Sequence, residues 1–97
     1  MNPERLDKVI HERVRLALMS ALAARGSLTF GELKEILTVT DGNLSVHATV
    51  LENARLLRIK KEFAGRKPRT TFIITEKGRQ AFARYLAELE KMLAGES

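Results

Sequence analysis

The spacing of the apolar residues changes along the chain, and each spacing predicts a different element. In the first part, apolar residues recur every three or four positions, which is typical of an amphipathic helix. These positions are Leu6, Val9, Ile10, Val14, Ala17, Leu18, Ala21 and Leu22. Asn2 and Pro3 predict where this helix starts, and Gly26 predicts where it ends. Three polar residues beginning at His11 interrupt the stripe and predict a break there.

Two shorter helices are predicted next, each with a capping residue at its start. Thr29 and Glu32 have the spacing of a capping box, which indicates the start of a second helix. Thr40 predicts the N-cap of a third helix over about residues 41–54. Because only a few residues separate the two helices, the pattern predicts a tight turn between them. The buried stripe of the third helix is predicted to contain Leu44, Ala48, Leu51 and Arg55.

After Leu56 the apolar period changes to two, which predicts β-strands. Leu57, Ile59 and Phe63 fall on one side of the first strand. Residues 70–74 are rich in β-branched side chains and predict a returning strand. A turn is expected over residues 64–69. The pattern therefore predicts a hairpin over about residues 57–74, with basic residues at its tip.

Thr75 predicts the cap of a last helix over about residues 76–94. The apolar residues of this helix have the three-and-four spacing of a coiled-coil seam. Because the preceding elements already make a compact unit, this seam needs a further surface to cover it, and a second copy of the chain is the simplest one. The predicted homodimer interface consists of Leu6, Val9, Ile10, Phe82, Tyr85, Leu86, Leu89, Met92 and Leu93.

The composition predicts one small soluble domain in the cytoplasm. The chain has 97 residues and no cysteine, which excludes a disulfide framework and a thiolate metal site. Its start lacks the apolar segment of a signal peptide, and no apolar run approaches the roughly 20 residues of a membrane span. His11 and His47 have no recognised metal-site spacing. We therefore expect no metal, no cofactor and no membrane partner.

The basic residues are concentrated in one part of the chain. Residues 55–79 contain nine basic and two acidic residues, a net charge of +7, whereas the rest contains eight basic and ten acidic residues, a net charge of −2. A local positive field of this kind suits a polyanion such as nucleic acid or an anionic membrane surface.

The order of predicted elements is that of a winged helix-turn-helix domain, mainly α with a small β-hairpin wing. Three stretches resemble small winged-helix transcriptional regulators of the ArsR and MarR type: residues 40–47 with residues 51–54 behind them, residues 65–71, and residues 75–78. The resemblance extends from about Val9 to Met92. It implies a homodimer that binds a pseudo-palindromic operator in double-stranded DNA, whereas the length of the chain predicts a single domain over residues 1–97. The third helix would then lie in the major groove and the wing on the flanking backbone.

The face of the third helix opposite its apolar stripe is small and neutral. Such a face allows close approach to the groove floor, where Asn43 could read adenine and Val46 or Thr49 could contact a thymine methyl group. The alternative is an ordinary solvated face. His47, at the border, either donates to a phosphate or only packs at the helix edge. The predicted DNA-binding residues are Thr40, Gly42, Asn43, Ser45, Val46, His47, Thr49, Lys60, Arg66, Lys67 and Arg69.

Three classes of function compete for this pattern. The first is a sequence-specific transcription regulator, and the second is a winged-helix module that holds a protein or an RNA. The third is an enzyme, for which the sequence shows no nucleophile beside a base, no phosphate-cradling loop and no paired catalytic carboxylates. We therefore expect no enzymatic activity. The interaction module stays open, because one fold hosts many functions.

Overall fold

In the computed structural model, which describes residues 2–95, the chain forms four α-helices and a three-stranded sheet. The helices are α1 (Arg13–Arg25), α2 (Phe30–Ile36), α3 (Asp41–Asn53) and α4 (Glu76–Leu93). The strands are β1 (Ser27–Thr29), β2 (Leu57–Ala64) and β3 (Lys67–Ile74). A single 3-10 turn at Pro3–Arg5 precedes them. The order of elements is the predicted one with a strand added, and within the described part no helix is long and apolar enough to cross a membrane.

The break predicted in the first helix is confirmed and is complete. Asn2 caps only the 3-10 turn, where its side chain accepts from the Glu4 backbone N–H at 3.0 Å. Glu12 then starts α1 from an extended conformation, with its carboxylate accepting from the backbone N–H groups of Val14 at 2.9 Å and Arg15 at 2.8 Å. The first helix is therefore shorter than predicted, because a second N-cap lies inside the apolar stripe.

The sheet contains one strand that the apolar pattern did not predict. The strand order is β1-β3-β2, and both neighbours pair antiparallel with β3. In β1, Leu28 lies opposite Phe72 of β3. Three residues are too few to show an alternating pattern, and their partner strand lies far along the chain.

The hairpin turn is tighter than predicted. Ala64 pairs with Lys67, so that only Gly65 and Arg66 connect β2 to β3. Gly65 has a φ of 69°, which is the left-handed conformation that two-residue hairpin turns favour. The remaining residues of the predicted turn are part of the strands.

One apolar core joins the helices to the sheet. The predicted stripe of α3 is confirmed at Leu44, Ala48 and Leu51, which are fully buried. The prediction is wrong for Arg55, which is exposed and lies just beyond the helix. Other buried members of the core include Leu18, Met19 and Leu22 of α1, Leu33 of α2, Leu57, Phe72 and Ile74 of the sheet, and Ala81, Phe82 and Tyr85 of α4.

Candidate nucleic-acid interface

Two contacts position the start of α3. The Thr40 hydroxyl accepts from the Asn43 backbone N–H at 3.1 Å, which confirms the predicted N-cap. Lys34 of α2 donates to the Val39 carbonyl oxygen and pairs with the Asp41 carboxylate at 3.0 Å. These contacts connect α2, the turn and the start of α3.

The face of α3 that points away from the core is open to solvent. Gly42, Asn43, Ser45, Val46 and Thr49 are all exposed, with Val46 at 61%. None of these side chains is charged. A Cβ atom built on Gly42 would meet no atom within 4 Å, so packing within the chain does not require glycine there. This face can approach another molecule closely.

The imidazole of His47 is turned toward α1. A guanidinium nitrogen of Arg15 lies 3.0 Å from its Nδ1, and a Glu12 carboxylate oxygen lies 3.5 Å from the same nitrogen. The side chain is only 20% exposed. These contacts support packing at the helix edge, since they occupy Nδ1 and leave Nε2 for any phosphate.

The Glu12 carboxyl connects the cap of α1 to His47. Burial raises the pKa of this carboxyl, but the backbone N–H groups of Arg15 and Val14 and the charges of His47 and Arg15 outweigh burial and hold the pKa below its ordinary value. The ionised form is therefore the one that the folded chain favours.

Glu12→Gln is expected to lower the free energy of unfolding by about 1 kcal/mol at neutral pH, since the charged cap of α1 is lost. A carboxyl whose pKa is lower in the folded chain than in the unfolded chain stabilises the fold at pH values above its unfolded-state pKa. This stabilisation is lost as the pH falls through its folded-state pKa. The difference between wild type and variant should therefore shrink below pH 4.5, the ordinary value for this carboxyl. Urea unfolding across this pH range measures the difference in the free energy of unfolding. Glu35→Gln is the control, because Glu35 is exposed on α2. A difference that does not change with pH would contradict this cause.

The basic residues of the wing occupy different faces of the hairpin. Arg66, Lys67 and Arg69 are exposed at its tip, as predicted. Lys60 lies opposite Thr71, on the face of β2 that also carries Glu62, and its ammonium group is 3.7 Å from the Glu62 carboxylate. Lys60 is therefore partly neutralised by a neighbouring acid.

Lys61 is a candidate contact that the predicted set lacks. It lies opposite Thr70 and lines a cleft of about 150 Å³ between the wing and α3, together with Ser45 and Thr49. The alternation of Leu57, Ile59 and Phe63 already places residue 61 on this face of the strand. The period of two is thus the signal that identifies it.

Two connections hold the wing against α3. The Glu52 side chain of α3 accepts from the Ile59 backbone N–H of β2 at 2.9 Å. At the end of α3, the Leu56 N–H donates to the Leu51 carbonyl at 3.0 Å, and Arg55 adopts a φ of 64°. This is the Schellman arrangement, which turns the chain directly into β2. The face of α3 and the basic wing therefore form one unit.

The structure corrects the predicted dimer interface at four positions. Leu6, Ile10, Phe82 and Tyr85 are buried in the core of the single chain, so their side chains do not lie on a surface. The reason is that the segment before α1 lies against α4, where His11 Nδ1 is 2.7 Å from the Tyr85 hydroxyl.

The second half of α4 keeps an apolar strip open to solvent. Leu86 is 45% exposed and Leu93 is 80% exposed. Leu89, Met92 and Val9 are partly buried against the core. We call Leu86, Leu89, Met92 and Leu93 the α4 strip.

Within residues 2–95 no group of three or more His, Asp or Glu side chains is arranged to hold a metal ion.

An exposed helix held behind a tight turn, with a basic two-stranded wing fixed beside it, defines a winged helix domain. Residues 14–93 match the family model described as the winged helix DNA-binding domain. The chain belongs to this family, and it resembles transcriptional regulators.

The similar proteins include archaeal and bacterial ones. The chain is 35% identical over 82 residues to an uncharacterized protein of Methanocaldococcus jannaschii, a match that covers 84% of this chain and 89% of that protein. The structure of a transcriptional regulator homologue from Pyrococcus horikoshii superposes with a TM-score of 0.88 at 33% identity, covering 95% of this chain and 92% of the other. A MarR family regulator from Enterococcus faecalis shares the fold, with a TM-score of 0.72, 22% identity and coverage of 98% and 96%. ArsR and MarR family regulators are thus among the structural neighbours, as the sequence motifs implied.

Proposed function

We propose that this protein is a sequence-specific transcriptional regulator that binds a pseudo-palindromic operator in double-stranded DNA as a homodimer. The observation that carries the proposal is the open face of α3, which is exposed, small and neutral beside a basic wing. An exposed helix face that serves only solubility is normally rich in Lys and Glu. This face instead has the side chains that contact base edges.

In the proposed complex, α3 lies in the major groove, which is about 12 Å wide and admits one helix. Gly42 allows the backbone to approach the groove floor. Asn43 can donate to and accept from adenine, while Val46 and Thr49 have methyl groups that fit beside thymine. Because α3 lacks Arg and Lys, the proposed helix contacts favour A·T over G·C pairs.

The wing supplies the contacts to phosphate. Arg66, Lys67 and Arg69 lie at its tip and Lys61 lies in the cleft beside α3. Contacts to phosphate position a protein on the duplex without reading sequence, and they make affinity depend on salt. In this proposal α3 contacts the bases and determines sequence specificity, whereas the wing contacts the phosphates and contributes affinity.

Selection from a pool of random duplexes tests the proposal. We expect enrichment of one motif with two-fold symmetry, whose half-sites lie about 10 base pairs apart or a multiple of that distance. Enrichment of no duplex motif would contradict the proposal and would favour a module that holds a protein or an RNA.

Arg66→Ala and Asn43→Ala are expected to weaken operator binding in different ways. Arg66→Ala should weaken all duplexes alike and reduce the slope of log K against log salt concentration by about 2 for a dimer. Asn43→Ala should leave that slope unchanged and reduce discrimination at one base pair of each half-site by about 1 to 3 kcal/mol. Titrations of operator variants at several salt concentrations measure both effects.

The cap of α3 provides the control for Asn43→Ala. The contact to Thr40 comes from the backbone N–H of Asn43 and not from its side chain, so the variant keeps the cap. Its melting temperature should match the wild type. An equal loss of affinity on every sequence would contradict base reading by Asn43.

A further inference from the structure

The wing presents an aromatic ring to solvent. Phe63 is 74% exposed, whereas the other aromatic side chains are buried or partly buried. Those others are Phe30, Phe72, Phe82 and Tyr85. An exposed position in a strand is filled as well by Thr or by Lys, which also discourages edge pairing. The folding of the chain therefore gives no reason for a phenylalanine here.

The register of the hairpin places Phe63 next to a second apolar residue. Phe63 lies directly opposite Pro68, close to the two-residue turn. Both residues are on the face of the sheet that carries Ile59 and Phe72 farther back. The helices cover this face at Ile59 and Phe72 but leave it uncovered at the tip, about 13 Å along the strand. The apolar pair thus projects beyond the core.

Basic residues lie on both faces of the hairpin near this apolar pair. Arg66 is exposed in the turn, and Lys61 is exposed on the same face as the pair, two positions before Phe63. Lys67 and Arg69 are exposed on the opposite face, where Arg69 lies directly opposite Glu62. An apolar tip with a positive rim matches a ligand that has apolar walls between two rows of negative charge.

The minor groove of duplex DNA has this construction, with sugar rings as walls and phosphates along both edges. Resting on the proposed function, we propose that Phe63 and Pro68 form an apolar wedge that enters the minor groove beside each half-site. Arg66, Lys67 and Arg69 hold the phosphates on either side. An inserted apolar side chain partly unstacks one base step and kinks the duplex toward the major groove.

The wedge makes affinity depend on how easily a base step in the operator unstacks, and this dependence involves no hydrogen bond to a base. Pyrimidine–purine steps such as TA and CA unstack most easily, whereas A-tracts are stiff. Operators whose flanks carry a TA or CA step under the wing are therefore bound more tightly than operators with an A-tract there. The α3 contacts to the half-site are the same in both.

The test compares wild type, Phe63→Ala and Phe63→Leu on the selected operator, with either a TA step or an A-tract in the flanks. Fluorescence energy transfer between dyes at the duplex ends measures bending, and titration measures affinity. We expect wild type to bend the TA duplex and prefer it over the A-tract. Phe63→Ala should lose the bend and the preference and bind about tenfold more weakly per half-site, with an unchanged salt slope. Phe63→Leu should retain most of both.

The other outcomes separate this inference from the proposed function. If wild type binds the operator and Phe63→Ala binds and bends it equally, the wedge is refuted while the function stands. If wild type selects no duplex, both fail. If Phe63→Ala changes the mass of the free protein in solution, the ring is a contact between proteins and the wedge is refuted. If Phe63→Ala lowers the free energy of unfolding by as much as the free energy of DNA binding, the ring is a structural residue and the wedge is refuted.

Discussion

Gly78→Ala is expected to lower the free energy of unfolding by about 3 kcal/mol, at the upper end of the cost of overpacking. A Cβ atom at this position would lie 2.0 Å from the carbonyl oxygen of Leu56. That carbonyl cannot easily move away, because it accepts from the Thr75 N–H at 3.1 Å. Thr75 is itself fixed, with its hydroxyl donating to the Arg55 carbonyl at 2.7 Å and accepting from the Gly78 N–H at 2.9 Å. The start of α4 would have to separate from the start of β2.

Gly42→Ala is the matched control for this substitution. Its new methyl group meets no atom of the chain within 4 Å, and alanine favours helix over glycine by up to about 1 kcal/mol. Urea unfolding should therefore find this variant slightly more stable than wild type and Gly78→Ala much less stable. Gly42→Ala should nevertheless bind the operator more weakly than wild type, since its methyl group faces the proposed groove floor. A Gly78→Ala variant as stable as wild type would show that α4 can shift freely.

Leu86→Glu is expected to produce monomers that bind the operator at least a hundredfold more weakly, because each half-site is then bound without the effective concentration that a linked second site supplies. Leu86 belongs to the α4 strip and is 45% exposed, so a charged side chain there is compatible with the folded monomer. Leu89 serves this test less well, since it is partly buried against the core of its own chain. Sedimentation gives the mass, and titration gives the affinity.

Gln80→Glu separates the loss of the dimer from the effect of added charge. Gln80 is exposed on α4, outside the strip, and the substitution adds the same negative charge. We expect this variant to remain dimeric and to lose only a small part of its affinity. A wild-type protein that sediments as a monomer at micromolar concentration would exclude the α4 strip as a dimer surface.

The sequence alone predicted those features that depend on near neighbours in the chain. The caps at Thr29, Thr40 and Thr75 are all present, because a capping bond joins residues three positions apart and needs nothing else. The buried stripe of α3 follows from helical periodicity in the same way. The basic segment over residues 55–79 can be read from the sequence directly. Its residues Arg66, Lys67 and Arg69 lie exposed at the tip of the hairpin, as predicted.

Only the tertiary structure decided which apolar residues are covered and which face each charge occupies. Phe82 and Leu86 are both apolar and lie four positions apart on α4, yet Phe82 is buried in the core and Leu86 is exposed. Likewise, Gly78 is required only because a carbonyl from another element lies against it. β1 exists only because β3 provides a partner for its three residues. The physical reason is the same in each case: a cap or a helical stripe is determined by local bonds, whereas burial and strand pairing depend on which distant segment folds against the residue.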